Sequence, residues 1–196
     1  MVEFLFGGDF LNTKLKLYKK IGIVVLTLFV SFLLYRIYVD NNVFEVTEYS
    51  LNVNDNKIDL LKGKKIIQIS DLHNKEFGND NKTLIETINQ INPDYILLTG
   101  DMVNAEDTSF EGFFSLVDNI SAKYKCFYVV GNHELGLEYG LLDDIYDYLK
   151  NHNVYVLDNS FVNVDGINFY GLNYAEKYYI KKNYNVEQMN KDLRSM

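Results

Sequence analysis

Three short apolar runs, spaced about thirty residues apart, each end on residues that a hydrophobic core does not use. Ile66-Ile67-Gln68-Ile69 leads into Ser70-Asp71-Leu72-His73. Asp94 to Gly100, reading DYILLTG, leads into Asp101. Tyr124 to Val130 leads into Gly131-Asn132-His133-Glu134. A short apolar run bounded by turn residues is the mark of a strand buried on both faces. Amphipathic helical patterns lie between the runs. Asn81 to Ile91 sets Leu84, Ile85, Ile88 and Ile91 on one face and stops at Asn92-Pro93. Thr108 to Ile120 does the same with Phe110, Phe113, Phe114 and Val117. A third helix is expected over Tyr139 to Lys150 and a fourth strand over Val154 to Leu157. Strands alternating with helices imply a parallel sheet, because parallel neighbours need a crossover between them. Phe161 to Val164 and Ile167 to Leu172 then flank Asp165-Gly166, a two-residue hairpin signal that calls for a second sheet or an antiparallel edge. The fold class is therefore α/β.

In a parallel sheet the carboxyl ends of neighbouring strands lie side by side, and ligands of open α/β sheets bind there. Taken singly, an Asp or Asn after a strand is an ordinary turn or cap former. Taken together, Asp71, His73, Asp101, Asn132 and His133 bring carboxylates, an amide and imidazoles to one edge of one sheet. Oxygen donors mixed with imidazole suit Mn²⁺, Fe or Zn²⁺. A carboxylate can bridge two such ions about 3.5–4 Å apart, and the pair can activate a water for in-line attack at phosphorus. A histidine beside the ions can protonate the leaving group.

Asp71-Leu72-His73, Gly100-Asp101 and Gly131-Asn132-His133-Glu134 resemble the first three signature blocks of the calcineurin-like metallophosphoesterases, over about Lys65 to Leu172. The layout behind an N-terminal anchor is similar to the membrane-associated bacterial branch of that family. The resemblance implies a two-sheet α/β sandwich covered by helices. It implies that Asp71 and His73 bind one divalent ion, that Asp101 bridges two, that Asn132 binds the second, and that His133 is the general acid. The activity implied is hydrolysis of a phosphoester or pyrophosphate bond, in some members of a lipid-linked substrate. The family's later histidine ligands and its closing Gly-His-x-His block have no counterpart, since the only histidines are His73, His133 and His152. His152 follows the third helix and is expected to meet its C-terminus. The expectation is thus a truncated sandwich whose second ion is short of ligands. The alternative is a membrane-tethered domain that binds a metal or a partner without turnover.

Ile21 to Val39 reads IGIVVLTLFVSFLLYRIYV, which as a helix spans about 28 Å, close to a bilayer core. Arg36 can snorkel at its far end, and Tyr35 and Tyr38 suit the interface. Lysines 14, 16, 19 and 20 precede it and the next lysine is Lys57, so the positive-inside rule places residues 1–20 in the cytoplasm and the domain on the outer face of the cell membrane, after a single pass. No alanine precedes Ala105, which argues against a cleavage site and for an uncleaved anchor. Residues 40–196 carry 14 basic and 25 acidic groups, a net charge of −11. That field excludes nucleic acid as a partner and means that any phosphate ligand needs bound cations. The single cysteine, Cys126, allows no intrachain disulfide. The expected organisation is a cytoplasmic segment 1–20, a transmembrane helix 21–39, a linker 40–64 with an edge strand at Val43 to Val53, the domain proper at 65–172, and a polar tyrosine-rich tail at 173–196 with a short helix at Val186 to Arg194.

Overall fold

The computed structural model describes residues 6–51, 56–173 and 191. It divides into two compact units after Tyr49.

The first unit is built on helix α1, Phe6–Asn42. Its segment Thr13–Val39 is long and apolar enough to cross a membrane, about 40 Å at helical rise. Leu26, Leu28, Phe29, Phe32 and Leu34 are all exposed, so the helix is apolar around its circumference and not along one stripe. Thr27 turns its hydroxyl back to the carbonyl of Ile23 at 2.9 Å, which satisfies a polar group inside the apolar stretch. The helix starts at Phe6, well before Ile21, the expected start of the transmembrane helix. Once a long apolar helix is nucleated, each further residue costs little to add. The edge strand expected at Val43 to Val53 does not form over residues 43–51, which join no sheet and stay mostly exposed; residues 52 and 53 lie outside the described ones. β-Propensity expresses fit to a pleated, half-buried surface, and without a neighbouring strand it has nothing to act on.

The second unit holds β1 (Ile66–Ile69), α2 (Lys82–Ile91), β2 (Tyr95–Thr99), α3 (Glu111–Ile120), β3 (Lys125–Val129), α4 (Leu141–Asn151), β4 (Tyr155–Val156), β5 (Ser160–Val164) and β6 (Ile167–Gly171). Short 3-10 turns lie at 56–61, 79–81 and 134–136. The first four strands form one parallel sheet in the order β1-β2-β3-β4. A sheet that grows in one direction through right-handed crossovers carries all of its helices on one face. Side-chain alternation assigns Ile96, Leu98, Cys126 and Tyr128 to that face, where they are buried together with Leu84, Ile88, Phe113, Leu116, Ile120, Ile145 and Leu149. Phe113 on α3 meets Tyr128 at 5.9 Å between ring centroids. Burial pushes the Cys126 thiol up to about 12, so it packs as an inert hydrophobe. Asn81, fully buried before α2, accepts from the Phe77 N–H at 3.1 Å and donates to the Gly112 carbonyl at 2.7 Å, which fixes the start of α2 against α3.

The opposite face is left to the antiparallel hairpin β5–β6. Asp165 (φ +55°) and Gly166 (φ +80°) make its turn, both in the left-handed region that a two-residue loop demands. Tyr95, Phe127, Leu157 and Val164 are buried between sheet and hairpin, and Phe169 stacks on Phe127 at 3.9 Å. The result is helices, a parallel sheet and a second small sheet in three layers, the α/β arrangement expected. The short helix expected at Val186 to Arg194 lies, apart from Lys191, outside the described residues.

On the outer side of α3 and α4, Tyr148 stacks on Phe114 (3.6 Å) and on His152 (4.1 Å), and its hydroxyl donates to Asp118. His152 sits at the end of α4, its Nδ1 2.8 Å from the Tyr148 carbonyl, as expected of a structural residue. Burial, and then the bond to Asp118, push the Tyr148 phenol up to about 12. The folded chain therefore keeps a proton that the unfolded chain loses near pH 10. The associated stability is complete below that pH and is lost as pH rises through 12. Thermal melts should show Tm falling between pH 10 and 12, with a shallower fall in Tyr148→Phe. An unchanged slope in that variant would remove Tyr148 from the account.

Candidate metal centre

The loops that leave β1, β2 and β3 continue the sheet's pairing beyond the strands themselves. Asp71 N–H donates to the Gly100 carbonyl (3.2 Å), His73 N–H to the Asp101 carbonyl (3.0 Å) and Asn74 N–H to the Met102 carbonyl (2.6 Å). Asp71, His73, Asn74 and Asp101 all take positive φ, between +51° and +56°, and Gly100 lies at +87°. Of the ten non-glycine residues in that region among the described ones, nine are Asp or Asn and the tenth is His73. Short amide and carboxylate side chains tolerate the left-handed conformation and imidazole does so less readily. Such conformations persist where surrounding bonds over-determine them, and they cluster at functional sites.

The second and third loops are joined as tightly. Asp101 Oδ1 accepts the His133 N–H at 3.0 Å. Glu134 Oε2 accepts from the N–H groups of Asp101 and Gly131, both at 3.0 Å, and its Oε1 from Met102 N–H at 2.6 Å. The approach leaves no room for a side chain at Gly131, where a Cβ would overlap the Asp101 nitrogen and Oδ1. Asn104 Nδ2 donates to the His73 carbonyl (3.1 Å), and Asp107 holds the Asn104 N–H (2.8 Å). Asn74 accepts from Phe113 N–H (3.2 Å) and donates to the Ser109 carbonyl (2.8 Å), which ties the first loop to the start of α3.

The five residues singled out in the sequence thus stand on three loops bonded to one another. The rings of His73 and His133 meet edge to face, centroids 4.7 Å apart. Asp71 and Asn132 are exposed beside them, while His73, Asp101 and His133 are half-buried. His73 Nδ1 is buried without a hydrogen-bond partner, a loss of about 1–3 kcal/mol that a bound cation would offset. His133 Nδ1 accepts the Ala105 N–H at 3.4 Å, so the neutral ring carries its proton on Nε2. The donors fit a divalent ion in kind, oxygen with imidazole. In number they fall short of a closed cage: among the described residues, no three His, Cys, Asp or Glu side chains stand close enough together to hold an ion. Nor does any lysine or arginine among those residues pair with Asp71, Asp101 or Glu134.

Glu134 carries more of this geometry than its place in the sequence suggested. The available signal was an acid inside an otherwise apolar and glycine-rich segment, Glu134-Leu135-Gly136-Leu137. Such an acid has to find backbone donors if it is buried.

Comparison with known proteins shows the family. The family model of the calcineurin-like phosphoesterases matches residues 64–194. The chain is 27% identical to an uncharacterized metallophosphoesterase of Campylobacter jejuni over 165 residues, which are 82% of this chain and 41% of that protein. It is 31% identical to one of Helicobacter pylori over 116 residues, 57% of this chain and 30% of that protein. It is 32% identical to one of Bacillus subtilis over 110 residues, 52% of this chain and 37% of that protein. The matched part is therefore less than half the length of these relatives.

Proposed function

Because this chain belongs to the calcineurin-like phosphoesterase family, we propose that its three strand-end loops hold two divalent ions and hydrolyse a phosphoester or pyrophosphate bond. Asp71, His73 and Asp101 would hold one ion, and Asp101 with Asn132 the other. Bound ions of this kind lower the pKa of a shared water and neutralise charge on the phosphoryl oxygens. The observation that supports the reading is the bonded convergence of Asp101 with His133 and of the two imidazole rings. His133 is the general acid: protonated to imidazolium, it gives a proton from Nε2, the nitrogen that the Ala105 N–H does not approach, to the leaving oxygen and returns to the neutral ring. The acidic surroundings repel a free phosphate ester, so turnover depends on the ions being present.

The helix Thr13–Val39 supports a single-pass anchor in the cell membrane, with the lysine-bearing N-terminus in the cytoplasm and the domain outside. A domain held at a bilayer meets phosphoesters of the lipid surface, and lipid-linked substrates fall within this reading. The hydrolysis, its dependence on metal and the side of the membrane are tested by one set of assays.

The full chain in detergent is assayed with Mn²⁺ on an aryl and an alkyl phosphodiester. Hydrolysis should vanish with EDTA and return with added Mn²⁺. His133→Gln should lower turnover of the alkyl ester by about 10²–10⁴ and of the aryl ester far less, because a good leaving group needs no proton. Equal losses on both esters would sink the role of His133, and metal-independent hydrolysis would sink the reading as a whole. On intact spheroplasts, a charged impermeant ester should be cleaved as fast as after lysis if the domain faces outward.

A second reading, binding of a metal or a partner without turnover, is favoured by one observation: the absence among the described residues of a three-donor cluster. It predicts that Mn²⁺ binds while neither ester is cleaved.

A further inference from the structure

We propose that Glu134 is a positioning residue whose buried carboxylate sets the separation of the Asp101 and Asn132 donors and, through it, the affinity of the site for divalent ions. The proposal rests on the reading that those donors hold metal.

Glu134 is 1% exposed and stands at the head of the short turn that follows Asn132 and His133. Its two oxygens take three backbone N–H groups from two different loops: Asp101 and Met102 on one, Gly131 on the other. The clasp is reciprocal. Glu134, on the third loop, holds the backbone of the second; Asp101, on the second, holds the backbone of the third through His133 N–H. Between the two clasps lie the residues that carry the donors. Asp101 is held at φ +53°, a conformation maintained by the hydrogen bond that its N–H donates to Glu134 and the one that its Oδ1 accepts from His133 N–H.

Among the described residues Glu134 has no ion-pair partner, and three backbone amide dipoles compensate its charge. A buried carboxylate in that state is costly to keep unless it stabilises something else. Here it does so by fixing the distance between two loops, and second-sphere groups of this kind typically change metal affinity by about 10–100-fold. Among the described residues the Tyr128 hydroxyl, buried on β3, also lies near it. Burial, and then the charge of Glu134, keep that phenol neutral far above its usual range.

Glu134→Gln keeps the shape of the side chain but sets an amide NH₂ against a backbone N–H, so all three donors can no longer be satisfied. Tyr128→Phe, by contrast, removes a hydroxyl near the carboxylate and leaves its three backbone N–H bonds in place.

The test is Mn²⁺ affinity of the full chain, read from the free-ion EPR signal, with far-UV circular dichroism to confirm folding. Glu134→Gln should weaken Mn²⁺ binding at least about tenfold, Tyr128→Phe should leave it unchanged, and Asp101→Asn should weaken it most. Wild-type affinity in a folded Glu134→Gln chain, with Asp101→Asn weak, overturns the proposal and spares the metal reading. Wild-type affinity in Asp101→Asn, or no Mn²⁺ binding by the wild type, overturns both. If Glu134→Gln does not fold, hydrogen exchange of the wild type decides. Mn²⁺ should slow exchange at the amides of Asp101, Met102 and Gly131, because coupling between clasp and site runs in both directions. Unchanged exchange at those three amides overturns the proposal.

Discussion

Asp101→Ala should cost at least about a thousandfold in kcat/KM on either phosphodiester, roughly 4 kcal/mol of transition-state stabilisation. The size follows from the two duties that one carboxylate performs. In the proposed site it is the donor shared by both ions, so its loss removes charge stabilisation on the attacking and on the leaving side together. In the fold its Oδ1 also accepts the His133 N–H at 3.0 Å and so seats the proposed acid. Asp101→Asn separates the two, because an amide oxygen can still accept that N–H while the negative charge is gone. If metal binding dominates, the Asn variant should be nearly as inactive as the Ala variant. If seating His133 dominates, the Asn variant should recover most of the activity. Parallel kinetics on the three proteins, each checked for bound Mn²⁺, make the measurement. Wild-type activity in Asp101→Ala would remove the centre from the loops described here.

Phe127→Ala should destabilise the folded chain by about 3–5 kcal/mol, the range for losing a large aromatic side chain from a core. Phe127 is buried between the parallel sheet and the hairpin, stacked on Phe169 at 3.9 Å and on Tyr155 at 5.1 Å. For a domain of this size that corresponds to a fall in Tm of roughly 10 °C. Tyr155→Ala, at an exposed position, should cost far less. A double-mutant cycle between Phe127 and Phe169 should return a coupling of about 0.5–1.5 kcal/mol, the worth of an aromatic pair beyond its buried area. A coupling near zero would mean that the hairpin does not seal this face of the sheet.

The parts of the molecule legible in the sequence were those written in periodicity. Ile66–Ile69, Tyr95–Thr99 and Lys125–Val129 announced themselves as apolar runs, and α2 and α3 as stripes of Leu, Ile and Phe. Asp165-Gly166 announced its hairpin, because few dipeptides accept two positive φ angles in succession. The gathering of Asp71, His73, Asp101, Asn132 and His133 followed from topology alone, since parallel strands end together. Three things lay beyond that kind of reasoning. The edge strand at Val43 to Val53 failed over its described part because propensity supplies no partner. The long N-terminal extension of α1 carries no apolar periodicity to mark its start. The clasp of Glu134 depends on which backbone N–H groups point inward, and that is decided by the left-handed turns at Gly100 and Asp101, where local sequence allows several conformations.

The strand order β1-β2-β3-β4 has a consequence for how the chain is made. Each strand pairs with the one synthesised just before it, so every crossover can close as soon as its second strand is free to fold, without waiting for a distant segment. The loop carrying Asp71 and His73 is then laid down first, that of Asp101 is registered against it, and the third loop locks the second when Glu134 arrives. The hairpin comes last, capping a sheet that has already taken shape.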